Sequence, residues 1–166
     1  MKIREAEIAD LNAIAELGQR AFQDEAPYFA SSTVEEIEDE MKAGNTYLLG
    51  FDDQEQLAGH VCVRPYPLSV RAYPLSKCGQ FRNLAVEPLL QNQGYGSQLL
   101  EEAERRLKER GCKCIAISIL DFKRDKLAPF YKKRGYGDAR EQQLVRGSKK
   151  PCSLVLFIKP APAPES

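Results

Sequence analysis

A chain of 166 residues, 43% hydrophobic and 29% charged, carries enough apolar material for one self-sufficient domain, which excludes a wholly disordered protein. Its 24 basic residues balance 24 acidic ones, so no net field draws it to nucleic acid or to an anionic membrane surface. Five cysteines at 62, 78, 112, 114 and 152 form no C-x-x-C pair, and His60 is the only histidine, so the composition excludes the common metal frameworks and points to free, buried thiols.

The start, Met1 to Glu5, lacks the apolar core of a signal peptide, and nowhere do about 18 apolar residues run together. We therefore expect a cytoplasmic protein with no membrane partner. Residues 2–8 alternate as a strand, and Asp10 is placed to cap a helix with Leu11, Ile14, Leu17, Ala21 and Phe22 on one face. Ser32 or Thr33, with Glu35 or Glu36 three residues on, caps a second helix whose stripe is Val34, Ile37 and Met41, and Gly44 ends it. Strands Thr46–Phe51 and Leu57–Val63 follow, joined by the polar connection Asp52 to Glu55, and should pair antiparallel. His60 lies in the second of them, where a satisfied structural histidine is the simpler reading than a base. The tetrapeptide Tyr-Pro-Leu-Ser occurs at 66–69 and again at 73–76, a spacing too short for a structural repeat.

The apolar run Phe81 to Val86 reads as a strand feeding a glycine loop. Beyond it, Leu99, Leu100, Ala103 and Leu107 mark one face of a helix that stops at Gly111. Cys114–Leu120 is the next strand, and strand–helix–strand at this length implies a right-handed crossover between parallel neighbours. A short helix spans about Ala128 to Arg134 and ends at Gly135, followed by strands near 136–145 and 153–159. Lys123, Arg124, Lys126, Lys132, Lys133 and Arg134 form a basic cluster, read as a solvated helix face of which part can reach a phosphate. The proline-rich end, 160–166, reads as a disordered tail after one domain spanning residues 1–159. The whole is an α/β chain in the order β-α-α-β-β-β-α-β-α-β-β.

The loop between the Phe81–Val86 strand and its helix reads QNQGYG, Gln91 to Gly96. Glycines 94 and 96 permit positive φ and close approach of a ligand, and the helix start behind them offers unpaired N–H groups and roughly half a positive charge. Such a corner holds an anion. The dinucleotide fingerprint would need a third glycine where Leu99 stands, and the triphosphate loop would need Gly-Lys-Ser/Thr where Gly96-Ser97-Gln98 stands. Neither nucleotide motif is present. In open sheets ligands collect beyond the carboxyl ends of parallel strands, which is where this loop lies.

This element order, with Q-x-x-G-x-G at Gln91, Gly94 and Gly96 behind Leu84-Ala85-Val86, resembles the GNAT superfamily of acetyl-CoA-dependent N-acetyltransferases. PFYKKRGY, Pro129 to Tyr136, is similar to that superfamily's "FY, three residues, Gly, aromatic" helix. The resemblance implies a mixed central sheet with a splayed parallel strand pair at the cofactor site. It also implies acetyl-CoA as co-substrate without a metal. The backbone of Gln91, Asn92, Gln93, Gly94, Tyr95, Gly96 and Ser97 would cradle the pyrophosphate, and the pantetheine would lie along Leu84, Ala85 and Val86. The amide of Val86 would polarise the thioester carbonyl. Tyr131 takes the position of the frequent general acid, protonated at neutral pH and able to give its proton to the departing sulfur. Glu87 is the carboxylate nearest in sequence to the expected acetyl position and the candidate base. Gln80 stands where many members carry a carboxylate, and Arg124 stands where the family often has Asn, from which it could reach a coenzyme phosphate. The partner implied is an amine, small molecule or protein, met by Gln23–Ser31 with Asp24, Glu25, Tyr28 and Phe29, and by the loop Gly147–Lys150. A homodimer is left open. The alternative on the same fold is a non-catalytic acyl-CoA-binding sensor or interaction module.

Overall fold

The computed structural model describes residues 1–65, 78–145 and 147–160, so the Tyr-Pro-Leu-Ser repetition and residues 161–166 of the expected tail lie outside the described residues. The chain runs β1 (Lys2–Glu5), α1 (Leu11–Ala21), α2 (Val34–Lys42), β2 (Thr46–Phe51), β3 (Leu57–Arg64), β4 (Cys78–Val86), α3 (Tyr95–Glu109), β5 (Cys114–Leu120), α4 (Arg124–Lys132), β6 (Gly137–Leu144) and β7 (Ser153–Pro160).

Alternation along β2 and β3 decides how the layers stack. Both strands are buried almost throughout, yet their side chains divide by parity. Tyr47, Leu49 and Cys62 pack with Leu11, Ile14, Ala15 and Ile37 of α1 and α2. Leu48, Val61 and Val63 pack on the other face with Leu99, Leu100, Ala103 and Leu107 of α3 and with Ala128 and Tyr131 of α4. The sheet is thus a middle layer between two helix pairs. Among the described residues no helix is long and apolar enough to cross a membrane.

The seven strands lie in the order β1-β2-β3-β4-β5-β7-β6, and β4–β5 is parallel while every other pair is antiparallel. The expected mixed sheet and its one parallel joint are therefore present. β7 enters between β5 and β6, pairing β5 over seven positions from Cys114–Pro160 to Leu120–Leu154.

Local chemistry explains most element ends. Thr33 accepts from the Glu36 N–H while Glu36 accepts from the Thr33 N–H, the reciprocal cap that the sequence predicts for α2. Asp10, by contrast, makes no side-chain cap on α1. Its carboxylate accepts from the Glu7 N–H at 2.8 Å and pairs with Arg4 at 2.7 Å, which turns the chain into a 3-10 turn at Ile8–Asp10 and stops β1 short of the predicted residue 8. α4 begins at Arg124, earlier than predicted, because Leu127, Ala128 and Tyr131 pack against the core and carry the helix through Pro129. The expectation of unbridged thiols fails at two positions: parallel register sets Cys78 directly opposite Cys114, and the two form a disulfide. Cys62, Cys112 and Cys152 are buried and unbridged, as expected.

Candidate active site

β4 and β5 pair only at Cys78–Cys114, Gly79–Ile115 and Gln80–Ala116, then part. The cause sits in β4. Asn83 adopts φ 53°, a left-handed conformation that Asn tolerates better than most residues, and the β3–β4 register shifts there so that β4 carries one extra residue. A bulge bends its strand and increases twist, so the second half of β4 swings out of line with β5. The Asn83 side chain donates to the Tyr47 hydroxyl at 3.2 Å, and Tyr47 donates to Glu40 at 2.8 Å, which fixes the bulge to the α2 side.

Beyond the bulge, β4 stays paired with β3. Val86 lies opposite Gly59, and the Glu87 N–H donates to the Ala58 carbonyl at 2.8 Å. In an antiparallel ladder that pattern turns the N–H and C=O of Val86 away from β3, into the crevice where β5 has departed. The Val86 carbonyl accepts from the Gln91 side chain at 3.3 Å. Leu84 and Val86 face α3, and Ala85 is buried opposite His60.

The glycine loop closes the end of this crevice. Asn92 at φ 62° and Gly94 at φ 88° both take left-handed conformations, and Gly94 has open space where a Cβ would stand, so its need for glycine is conformational. α3 starts with no side-chain cap and no acidic residue in its first turn, leaving the amides around Tyr95, Gly96 and Ser97 to a ligand. Gln91 and Gln93 brace the loop by donating to the carbonyls of Val86 and Leu89, the latter at 3.2 Å. Arg134 adds a cation: its guanidinium donates to Ser97 Oγ and to the Phe130 carbonyl at 2.8 Å, and lies 3.7 Å from the Phe130 ring centre. Sequence reasoning had Arg134 only within a basic cluster. Its spacing of four from Phe130, in the helix that the sequence predicts to reach Arg134, was the signal available.

Tyr131 stands in an aromatic cluster, with ring centres 6.1 Å from Phe81, 5.8 Å from Tyr136 and 5.0 Å from Phe130. Burial pushes its phenol pKa up, against a smaller downward pull from the Arg134 charge, so it is protonated at neutral pH. Glu87 is bound at both carboxylate oxygens by Arg20 of α1, at 2.9–3.3 Å. Arg124 pairs with Asp138 at the start of β6. Gln80 is half-buried in the last paired position of β4 and β5.

Two segments that the resemblance assigns to the acceptor meet. The Lys149 N–H donates to the Tyr28 carbonyl at 2.9 Å, and the Lys150 ammonium lies 5.9 Å from the Tyr28 ring centre. Tyr28 stacks on Phe122 with centres 4.3 Å apart and planes 16° from parallel. With Asp121 and Pro151 these rings line an open pocket of about 360 Å³. Asp24 and Glu25, expected to face a cationic amine, both pair with Lys123 at 3.3 and 2.8 Å, which leaves one net negative charge on the three groups. Asp121, whose carboxylate accepts the Phe122 N–H at 2.8 Å, is the acid of the pocket. Its place directly after β5 was a legible sign that the sequence reading passed over.

Solved structures share this architecture. The chain is similar to the ribosomal-protein-S18-alanine N-acetyltransferase from Escherichia coli, at 17% identity over 99% of this chain and 96% of that one, with a TM-score of 0.74. It is similar also to the ribosomal-protein-alanine N-acetyltransferase from Brucella melitensis, at 18% identity over 96% and 99%, TM-score 0.74. A third is an aminoglycoside 6'-N-acetyltransferase complexed with coenzyme A, at 18% identity over 99% and 100%, TM-score 0.70. At these identities the likeness is one of fold. A comparison with curated proteins gives no match. The sequence profile of the acetyltransferase (GNAT) family matches residues 11–136, from the start of α1 to the tyrosine that closes the second motif. The chain belongs to the GNAT family of acetyltransferases, whose co-substrate is acetyl-CoA.

Proposed function

We propose that the protein transfers the acetyl group of acetyl-CoA to a primary amine by direct attack. The observation that carries this reading is the Val86 amide, turned into a crevice that ends at the uncapped N-terminus of α3. Acetyl-CoA supplies an activated thioester and two kinds of phosphate. The amides of Gln91 to Ser97 suit the pyrophosphate, and Leu84 to Val86 present a strand edge to the pantetheine amides. Arg134, already on Ser97, is the cation we assign to the phosphates; Arg124 would first have to leave Asp138.

Val86 N–H stabilises the oxygen on which negative charge develops. As the C–N bond forms and the C–S bond breaks, Tyr131 gives its proton to the departing sulfur and is restored by the proton that the new amide nitrogen sheds, directly or through solvent. On the acceptor side, Tyr28, Phe122 and Asp121 suit an amine that is cationic in solution and sheds a proton on entry. Deprotonation at pH 7 costs about 1 kcal/mol for an α-amine and roughly 4–5 kcal/mol for a lysine-like amine. Glu87 would accept that proton only on parting from Arg20, so in this reading it chiefly ties α1 to the exit of β4, and the α-amine is the better substrate.

Thermal unfolding with acetyl-CoA, desulfo-coenzyme A, NADH and ATP tests the donor. We expect the two coenzyme A species alone to raise the midpoint, by an amount corresponding to about 2.7 kcal/mol at 100 times the dissociation constant. Absence of any such shift would end the proposal. Stabilisation without release of thiol in the presence of a panel of amines would favour the non-catalytic acyl-CoA-binding alternative.

A further inference from the structure

The face of the sheet that carries α1 and α2 holds a cavity to which the chemistry above gives no part. Its floor is His60, and its walls include Ile14 and Gly18 of α1 and Phe22 just beyond it, together with Ser31 and Ser32 ahead of α2. The floor is buried while Phe22, Ser31 and Ser32 are half-exposed, so the cavity deepens inward from the α1–α2 segment. The cavity measures about 30 Å³, room for about two waters or a group of a few heavy atoms.

His60 departs from the satisfied structural histidine that its place in a strand predicts. It is 2% exposed, and neither ring nitrogen makes a hydrogen bond. The backbone of Ile14 and Asn83 makes at most loose, poorly aligned hydrogen bonds to the ring, and Tyr47 meets it edge-on at 5.8 Å. Buried polar atoms left idle are costly and are ordinarily partnered. A second observation bears on the same spot. A Cβ at Gly18 would stand 3.9 Å from His60 Nε2, so the missing side chain keeps the space over the ring open. Glycine is a poor helix residue, yet α1 carries one at this position.

We propose that this cavity is an acceptor subsite in which His60 hydrogen-bonds a small neutral group with both a donor and an acceptor, a primary carboxamide or hydroxyl borne by the amine substrate. The inference rests on the acetyltransferase reading. Among the described residues no charged side chain lines the cavity, which favours a neutral group. Burial drives the His60 pKa down to about 4, so the ring is neutral and offers one N–H and one lone pair. The α1–α2 segment supplies Ser31 and Ser32 to this cavity and Tyr28 to the acceptor pocket, and Asn83 joins the cavity to the bulge that opens the crevice.

Because His60 is the only histidine, NMR of the imidazole nitrogens reads this site without interference. Two amines of matched shape serve as probes: β-alaninamide, and isopentylamine, which replaces the carboxamide by an isopropyl group. We expect β-alaninamide alone to shift the His60 nitrogens saturably, and its kcat/KM for acetylation to exceed that of isopentylamine by about tenfold or more, mainly through KM. Gly18→Ala, which favours the helix while filling the space, should retain the thermal midpoint and lose both the shift and the preference. His60→Gln, keeping a donor and an acceptor, should retain part of the preference that His60→Phe loses. Equal responses of His60 to the two amines, no response to either, or an intact preference in Gly18→Ala would overturn the subsite. A selective His60 shift with no acetylation of any amine would support the subsite and overturn the acetyltransferase reading instead.

Discussion

The two sides of the crevice are built from different materials. The donor side is backbone: the Val86 amide set by strand register, the loop amides set by left-handed Asn92 and Gly94, and the first turn of α3. The side we propose for the acceptor is built of side chains gathered from three distant stretches, Tyr28, Asp121–Phe122 and Pro151. In the proposed reading, backbone groups meet what every acetyl-CoA has in common, whereas side chains can vary without disturbing the fold. The comparison teaches why the donor can be named from one motif and the acceptor only by its chemistry.

The contrast can be broken experimentally, and the largest effect is expected on the donor side. Tyr131→Phe removes only the phenolic proton from a ring held by Phe81, Phe130 and Tyr136. It should lower kcat by roughly 10²–10⁴-fold, measured as thiol release, with acetyl-CoA affinity unchanged. An unchanged kcat under conditions where chemistry limits the rate would remove Tyr131 from the mechanism.

Next in size is a pH effect of the buried His60. The folded-state pKa of His60 is depressed to about 4 by burial, below its unfolded value of about 6.5, so the unfolded chain binds the proton more readily. Stability is therefore full above the unfolded value and falls as pH drops toward 4, by roughly 3 kcal/mol in all. Glu102, whose carboxylate is held down to about 2 chiefly by its hydrogen bond to Arg105, contributes in a lower window, below its ordinary carboxylate range. Urea unfolding between roughly pH 6 and 4.5 thus isolates His60, and His60→Gln should flatten the profile there. A profile equally steep in the variant would show that His60 is not the group responsible.

A smaller, one-sided effect belongs to the aromatic wall. Tyr28→Ala should raise the amine KM by about tenfold and leave acetyl-CoA binding alone, sharpening the division between the two sides. A matching loss of acetyl-CoA affinity would erase that division. Smallest is Glu87→Gln, at a pair whose Arg20 side chain is nearly half exposed. We expect at most about 1 kcal/mol of destabilisation and less than a tenfold loss of turnover. A larger fall in kcat, confined to amines of high pKa, would return Glu87 to the role of proton acceptor.

Much of the fold was legible because local chemistry and tertiary packing agree. The bounds of β2 and β5, the cap of α2 and the parallel β4–β5 joint all follow from periodicity, capping residues and crossover length. Reading failed where a residue's role depends on a distant partner. Cys78 and Cys114 carry no local sign of a bridge, and only parallel register brings them together. Arg134 looks like its basic neighbours until α4 docks beside the start of α3 and sets it on Ser97. Asp24 and Glu25 look like free acids until Lys123 arrives from the end of β5.

By itself the sequence determined the donor: QNQGYG, Gln91 to Gly96, behind a strand, with Phe130-Tyr131 downstream, specifies a backbone conformation through its glycines and its order of elements, and those are local properties. The tertiary structure alone decided the insertion of β7 between β5 and β6, the bulge at Asn83 that parts β4 from β5, and the placing of an unpartnered His60 under Gly18. Each of these rests on contacts between residues far apart in the chain, whose energies come from packing and register and leave no periodic trace in the residues on either side.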